Sequence, residues 1–154
     1  MKNLYSILAC SMVVLVLMTA CKKKQDPETF LSDKARPTWT TPDKQDMTSS
    51  MTAVIKIDLK TQYPVLASDF VLNDNDLIAA YSGETCLGTA SPKDGLFFLY
   101  VGAPVGVTPS SVTLKYYSAY YKNIFEAKDA FPFVTDGIIG KISKPFVPTL
   151  VVVK

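Results

Sequence analysis

The sequence contains no histidine. That removes the commonest general base near neutral pH and the commonest neutral metal ligand. Cysteine is scarce, with three residues, Cys10, Cys21 and Cys86. Charge of one sign is also lacking. Sixteen Lys and Arg stand against 14 Asp and Glu, a net +2, so no basic field for nucleic acid is present. Helical periodicity is missing over any window of about ten residues, apart from a turn expected near Val65 to Leu72. Calcium-loop spacing is missing too. Counting from Asp74, the sixth residue is Ala79, where such a loop needs Gly, so Asp69, Asp74 and Asp76 read as turn-capping carboxylates. Glycoside hydrolysis needs two carboxylates across a cleft. Glu84, Glu126 and Asp129 instead fall in expected turns of a domain too small to frame one. These features point away from an enzyme and from any cofactor or bound metal.

Only one long apolar run is present, Ile7 to Met18, preceded by Met1-Lys2-Asn3. About 12 residues span roughly 18 Å as a helix, short of a bilayer core of about 30 Å. The run therefore reads as a signal peptide and is set apart from the fold. It ends in Leu17-Met18-Thr19-Ala20-Cys21. This resembles the lipobox of bacterial lipoproteins, in which Leu, a small residue, then Gly or Ala precede Cys. Thr19, Ala20 and Cys21 fit the pattern, and Met18 stands where Leu is usual. The resemblance implies cleavage before Cys21, a diacylglyceryl thioether on its sulfur and acylation of the new amino terminus. It places the protein on a bacterial outer membrane by a lipid anchor, facing either the periplasm or the cell surface. Several acyl chains, at about 0.8 kcal/mol per buried methylene, hold such an anchor stably.

With Cys10 removed and Cys21 lipidated, Cys86 remains alone, so no internal disulfide can form. Its neighbours Thr85, Leu87 and Thr89 mark a strand, so a buried thiol is expected there. Residues 21–46 open with Lys22-Lys23-Lys24 and are rich in Lys, Asp, Thr and Pro. Such a segment buries little and reads as a flexible tether.

The body, residues 47–154, is the length of one domain. Met51, Ala53, Ile55, Ile57 and Leu59 alternate with polar residues, the period of a half-buried strand. Further strands are expected over Leu77–Tyr81, Thr85–Ala90, Leu96–Val101, Val112–Tyr117, Ile124–Phe125, Phe131–Val134 and Leu150–Val153. Turn residues such as Asn73-Asp74-Asn75-Asp76 and Pro92-Lys93-Asp94-Gly95 separate them. The fold class is all-β, an antiparallel β-sandwich of about seven to eight strands.

The order Asn75-Asp76-Leu77-Ile78-Ala79-Ala80-Tyr81, Gly83-Glu84-Thr85-Cys86-Leu87-Gly88, Val112 to Tyr117, Phe131-Pro132-Phe133 and Asp136-Gly137-Ile138-Ile139-Gly140 resembles a small Ig-like repeat of Bacteroidota surface and secreted proteins. Leu87 stands where that repeat commonly carries Arg. The resemblance implies an extracytoplasmic sandwich module and no catalytic residues.

Two apolar features bear on partners. Tyr116, Tyr117, Tyr120 and Tyr121 form an aromatic cluster that either stacks on a glycan or packs in and over the sheet. Leu96 to Val101 is apolar at every position, so both faces need cover. With Leu96, Phe98 and Tyr100 in the core, Phe97, Leu99 and Val101 face outward, or the assignment is reversed. Either the Trp39 segment or a loop covers the outer face, or Phe97, Leu99 and Val101 dock another envelope protein. The expectation is a non-enzymatic, lipid-anchored envelope protein with a structural or protein-binding sandwich, the alternative being a carbohydrate-binding accessory lipoprotein.

Overall fold

The structure, a computed structural model, describes residues 27–66 and 70–153. The expected signal peptide, residues 1–20, Cys21 and the lysines that follow it lie outside the described residues.

Ten strands form in chain order: β1 (Met47–Ile55), β2 (Leu77–Ser82), β3 (Thr85–Ala90), β4 (Pro92–Lys93), β5 (Leu96–Pro104), β6 (Ser111–Ser118), β7 (Asn123–Ala127), β8 (Phe131–Pro132), β9 (Ile138–Ile139) and β10 (Leu150–Val152). A four-stranded sheet has the order β4-β5-β1-β9. A six-stranded sheet runs β10-β7-β6-β2-β3, with β8 also paired to β6. All pairs are antiparallel except β1 with β9. The protein is an all-β sandwich, as its alternating pattern predicts. The count exceeds seven or eight because β4, β8 and β9 are two-residue strands.

Alternation sets which side chains face inward. Met51, Ala53 and Ile55 of β1 and Phe97, Leu99 and Val101 of β5 point toward Ile78 and Ala80 of β2 and Val112, Leu114 and Tyr116 of β6. The Phe97 and Tyr116 rings meet edge to face at 6.0 Å and join the two layers. The first strand stops at Ile55, although the alternation runs to Leu59. Asp58 accepts a hydrogen bond from the Thr61 amide at 3.0 Å and caps a single helical turn, α1 (Leu59–Gln62). A 3-10 turn over Pro64–Leu66 follows it and meets the start of the turn expected near Val65 to Leu72, of which residues 67–69 lie outside the described residues.

The chain crosses between sheets at β3 and β4. With only Ser91 between them, β3 pairs β2 in one sheet and β4 pairs β5 in the other. Strands that bend from one sheet to the next make the corners of such sandwiches. Here the corner needs Gly88, because a Cβ there would overlap the Tyr100 carbonyl oxygen.

The expected tether over residues 21–46 is corrected by the structure in its described part. Phe30 is fully buried in the core, against Tyr63 at 4.8 Å and stacked with Phe125 at 6.4 Å. Its carbonyl accepts from Asn123 Nδ2 at 3.1 Å, and the Ser32 amide donates to the Tyr121 carbonyl at 2.9 Å. The chain then runs as a strap over the outer face of the six-stranded sheet. The Lys34 ammonium donates to the Val153 carbonyl at 2.7 Å, and Arg36 Nε donates to the Asn75 carbonyl at 3.0 Å. Trp39 meets the Tyr81 ring edge to face at 6.3 Å. Leu77, Ala79 and Tyr117 lie on the strap's side of the sheet and are buried, and the Tyr117 hydroxyl donates to the Lys34 carbonyl of the strap. The domain therefore begins by Phe30, not at Met47. A few well-placed apolar and hydrogen-bonding groups suffice where a folded surface already exists, even though the segment's composition is polar.

Candidate functional site

The tyrosine cluster is not a platform. Tyr116 is fully buried, and its hydroxyl donates to Asp76 Oδ2 at 2.7 Å. Tyr117 is 5% exposed on the opposite face, and its hydroxyl donates to the Lys34 carbonyl. Tyr121 is 3% exposed between Phe70 and Phe125. Only Tyr120 is open, at 47%. The sheet alternation on which a four-ring row depends breaks after Ser118, where β6 ends and the chain turns. The glycan-stacking assignment of Tyr116, Tyr117 and Tyr121 is thus overturned by burial.

The partner-surface assignment of Phe97, Leu99 and Val101 is overturned as well. All three are fully buried. The reverse face is the open one: Phe98 is 42% and Tyr100 is 44% exposed. A sequence signal for this phase exists. Asp94 and Gly95 both have positive φ, 52° and 78°, the requirement of a two-residue type I′ hairpin. That turn pairs Lys93 with Leu96, and paired residues share a face. A charged Lys93 outside therefore places Leu96, Phe98 and Tyr100 outside with it.

The outer face of the four-stranded sheet is a built arrangement. Ile138, Thr52 and Tyr100 stand in one row across β9, β1 and β5, and Val54 pairs with Phe98 beside it. Ile138 is 70% exposed. Lys44 places its ammonium over the Tyr100 ring at 5.9 Å, the outer range of a cation–π contact. The Trp39 segment covers the other sheet; on this face Phe98, Tyr100 and Ile138 stay exposed, whereas Val54 is buried.

Beyond Ile138 the surface opens into a groove of about 410 Å³ lined by Ile138, Gly140, Lys141, Lys144, Pro145 and Phe146. Ligand pockets commonly begin near this volume. Its rim is a tight turn in which the Lys141 and Lys144 backbones exchange two hydrogen bonds of 3.0 Å. The turn is pinned to β1, since the Phe146 amide donates to the Val54 carbonyl at 2.9 Å and the Lys56 amide donates to the Phe146 carbonyl at 2.9 Å. Gly140, at φ 72°, is required where the chain passes Val54, because a Cβ there would overlap the Val54 carbonyl.

Asp76, the carboxylate nearest to the expected turn-capping role, is fully buried. It accepts from the Asn73 amide at 3.0 Å, the Ala119 amide at 2.7 Å and the Tyr116 hydroxyl. Burial pushes its carboxyl above the ordinary value, against those three hydrogen bonds. Cys86 is a free, half-buried thiol whose Sγ lies 3.8 Å from the Gly88 carbonyl, and burial pushes its pKa up. A raised pKa disfavours the thiolate that a nucleophile needs. Beside it, burial pushes the Tyr81 phenol up to about 12. Among the described residues no group of three or more Cys, Asp or Glu is placed to hold a metal ion.

Comparison with known proteins gives no matching family model, no matching curated protein and no matching solved structure.

Proposed function

We propose that this chain is a non-enzymatic, lipid-anchored protein of the bacterial outer membrane whose β-sandwich acts as a binding module. The observation that carries the binding role is the open outer face of the four-stranded sheet. There Phe98, Tyr100 and Ile138 stay exposed while the opposite sheet is covered by the strap. Exposed apolar side chains gathered beside a groove mark interaction sites more often than isolated ones do. The anchor rests on the small residues Thr19 and Ala20 before Cys21, after an apolar run too short to span a bilayer. The resemblance of the body to an extracytoplasmic Ig-like repeat supports the same placement.

Intact mass of the mature protein tests the anchor. The chain is expected to start at Cys21 and to carry acyl mass, and Cys21→Ala is expected to remain uncleaved and without lipid. A wild-type protein that starts elsewhere and carries no acyl mass overturns the reading.

A further inference from the structure

Resting on the binding-module reading, we infer that the lysine-rimmed groove and the adjoining Tyr100 row form one binding site for an acidic glycan, a uronate-bearing oligosaccharide. Two features of the groove select for negative charge. Lys141 and Lys144 sit directly across a hydrogen-bonded pair, with Cα atoms about 5.5 Å apart in such geometry. Like charges placed opposite each other are unfavourable unless an anion joins them. Among the described residues, neither lysine has an acidic side chain within ion-pair distance, the one salt bridge being Lys115–Glu126 on the other sheet. The turn that carries both lysines is held by backbone bonds to β1, so the two side chains start from a backbone of fixed position.

The rest of the site selects a sugar over an acidic peptide. From the groove, Ile138, Thr52 and Tyr100 lie in register on three neighbouring strands. At the usual strand spacing that row is about 10 Å long, room for two pyranose rings laid end to end. Tyr100 offers an aromatic ring at its far end, and Thr52 an exposed hydroxyl in the middle. Lys44 holds its ammonium 5.9 Å from the centroid of that ring, and on binding the stacked sugar takes the ring face while the displaced ammonium meets a carboxylate as a third cation. Flat apolar rings stack on the C–H faces of sugars, and spaced cations meet the carboxylates of a uronate chain. Asp136, whose amide donates to the Ser50 carbonyl at 2.7 Å, flanks the row on the Ser50 side of Thr52 and bounds the site there. The groove takes one sugar unit between Lys141, Lys144 and the apolar wall of Pro145 and Phe146, and the row takes the units that follow.

The test uses the full chain in detergent, titrated with a short oligogalacturonate, a neutral cello-oligosaccharide of matched length and poly-glutamate. Oligogalacturonate is expected to bind with an affinity that falls as salt rises, and the neutral sugar to bind far more weakly. Lys141→Gln with Lys144→Gln, and separately Tyr100→Ala, should each weaken binding by about tenfold or more with the melting temperature unchanged. Failure of oligogalacturonate to bind, or equal binding of the neutral sugar, overturns the proposal. Poly-glutamate binding as tightly, with no response to Tyr100→Ala, overturns the glycan assignment while the binding-module reading stands. The anchor measurement is independent of both outcomes, since it reports only whether Cys21 is lipidated.

Discussion

The Tyr116 hydroxyl donates a 2.7 Å hydrogen bond to Asp76 Oδ2, and both residues are fully buried. The bond ties the end of β6 to the turn before β2, since Asp76 also accepts from the Ala119 and Asn73 amides. A buried carboxylate is tolerated only with such partners. Tyr116→Phe keeps the ring contacts with Phe97 and Phe125 and removes one of the three donors. It should cost about 1–3 kcal/mol in denaturant unfolding, the usual penalty for an unmade buried hydrogen bond.

Asp76 also sets a pH dependence. Its folded carboxyl is raised above the ordinary value of 3.8, chiefly by burial. The folded state therefore binds the proton more tightly than the unfolded state does. Its contribution to stability is full below 3.8 and is lost as pH rises through the raised folded value. Asp76→Asn does not titrate. The stability of the wild type relative to that variant should grow on acidification, measured by urea unfolding at several pH values. A difference that shrinks on acidification contradicts the assignment.

The strap carries stability. Phe30→Ala should lower unfolding free energy by about 3–5 kcal/mol, because the ring leaves a cavity among packed aromatic side chains. Removal of all residues before Met47 should destabilise at least as much, since it also uncovers Leu77, Ala79 and Tyr117. Thermal melts of both variants beside the wild type measure this. An unchanged melting temperature would show that the strap is dispensable.

Neighbouring residues of β5 should respond in opposite ways. Leu99→Lys places an unpaired charge in the core and should cost several kcal/mol, or prevent folding. Tyr100→Lys changes a side chain that is 44% exposed, and surface changes usually stay within about 0.5 kcal/mol. Melts of the two variants, run together, check the phase of the strand.

The all-β class, most of the longer strands and the turns between them were legible in the amino-acid order alone. Alternation with period two and clusters of Asn, Asp, Gly and Pro are local signals, and they need no partner to be read. The strand over Thr85–Ala90 shows this, since turn residues bound it on both sides. The candidate site was legible only in part. In Leu96 to Val101 every residue is apolar, so alternation carries no phase, and the outward face of Phe98 and Tyr100 followed from pairing across the Asp94-Gly95 turn. The two-residue strands β4 and β9 are too short to show a period. Phe30 is a lone ring in a polar stretch, and only a preformed pocket between Tyr63 and Phe125 gives it somewhere to go. The Lys141–Lys144 turn and Tyr100 are far apart in sequence, and they share a surface only because β9 lies parallel beside β1. Local chemistry set what each segment could form, while the tertiary structure decided which faces meet and which stay open, because burial depends on what arrives from elsewhere in the chain.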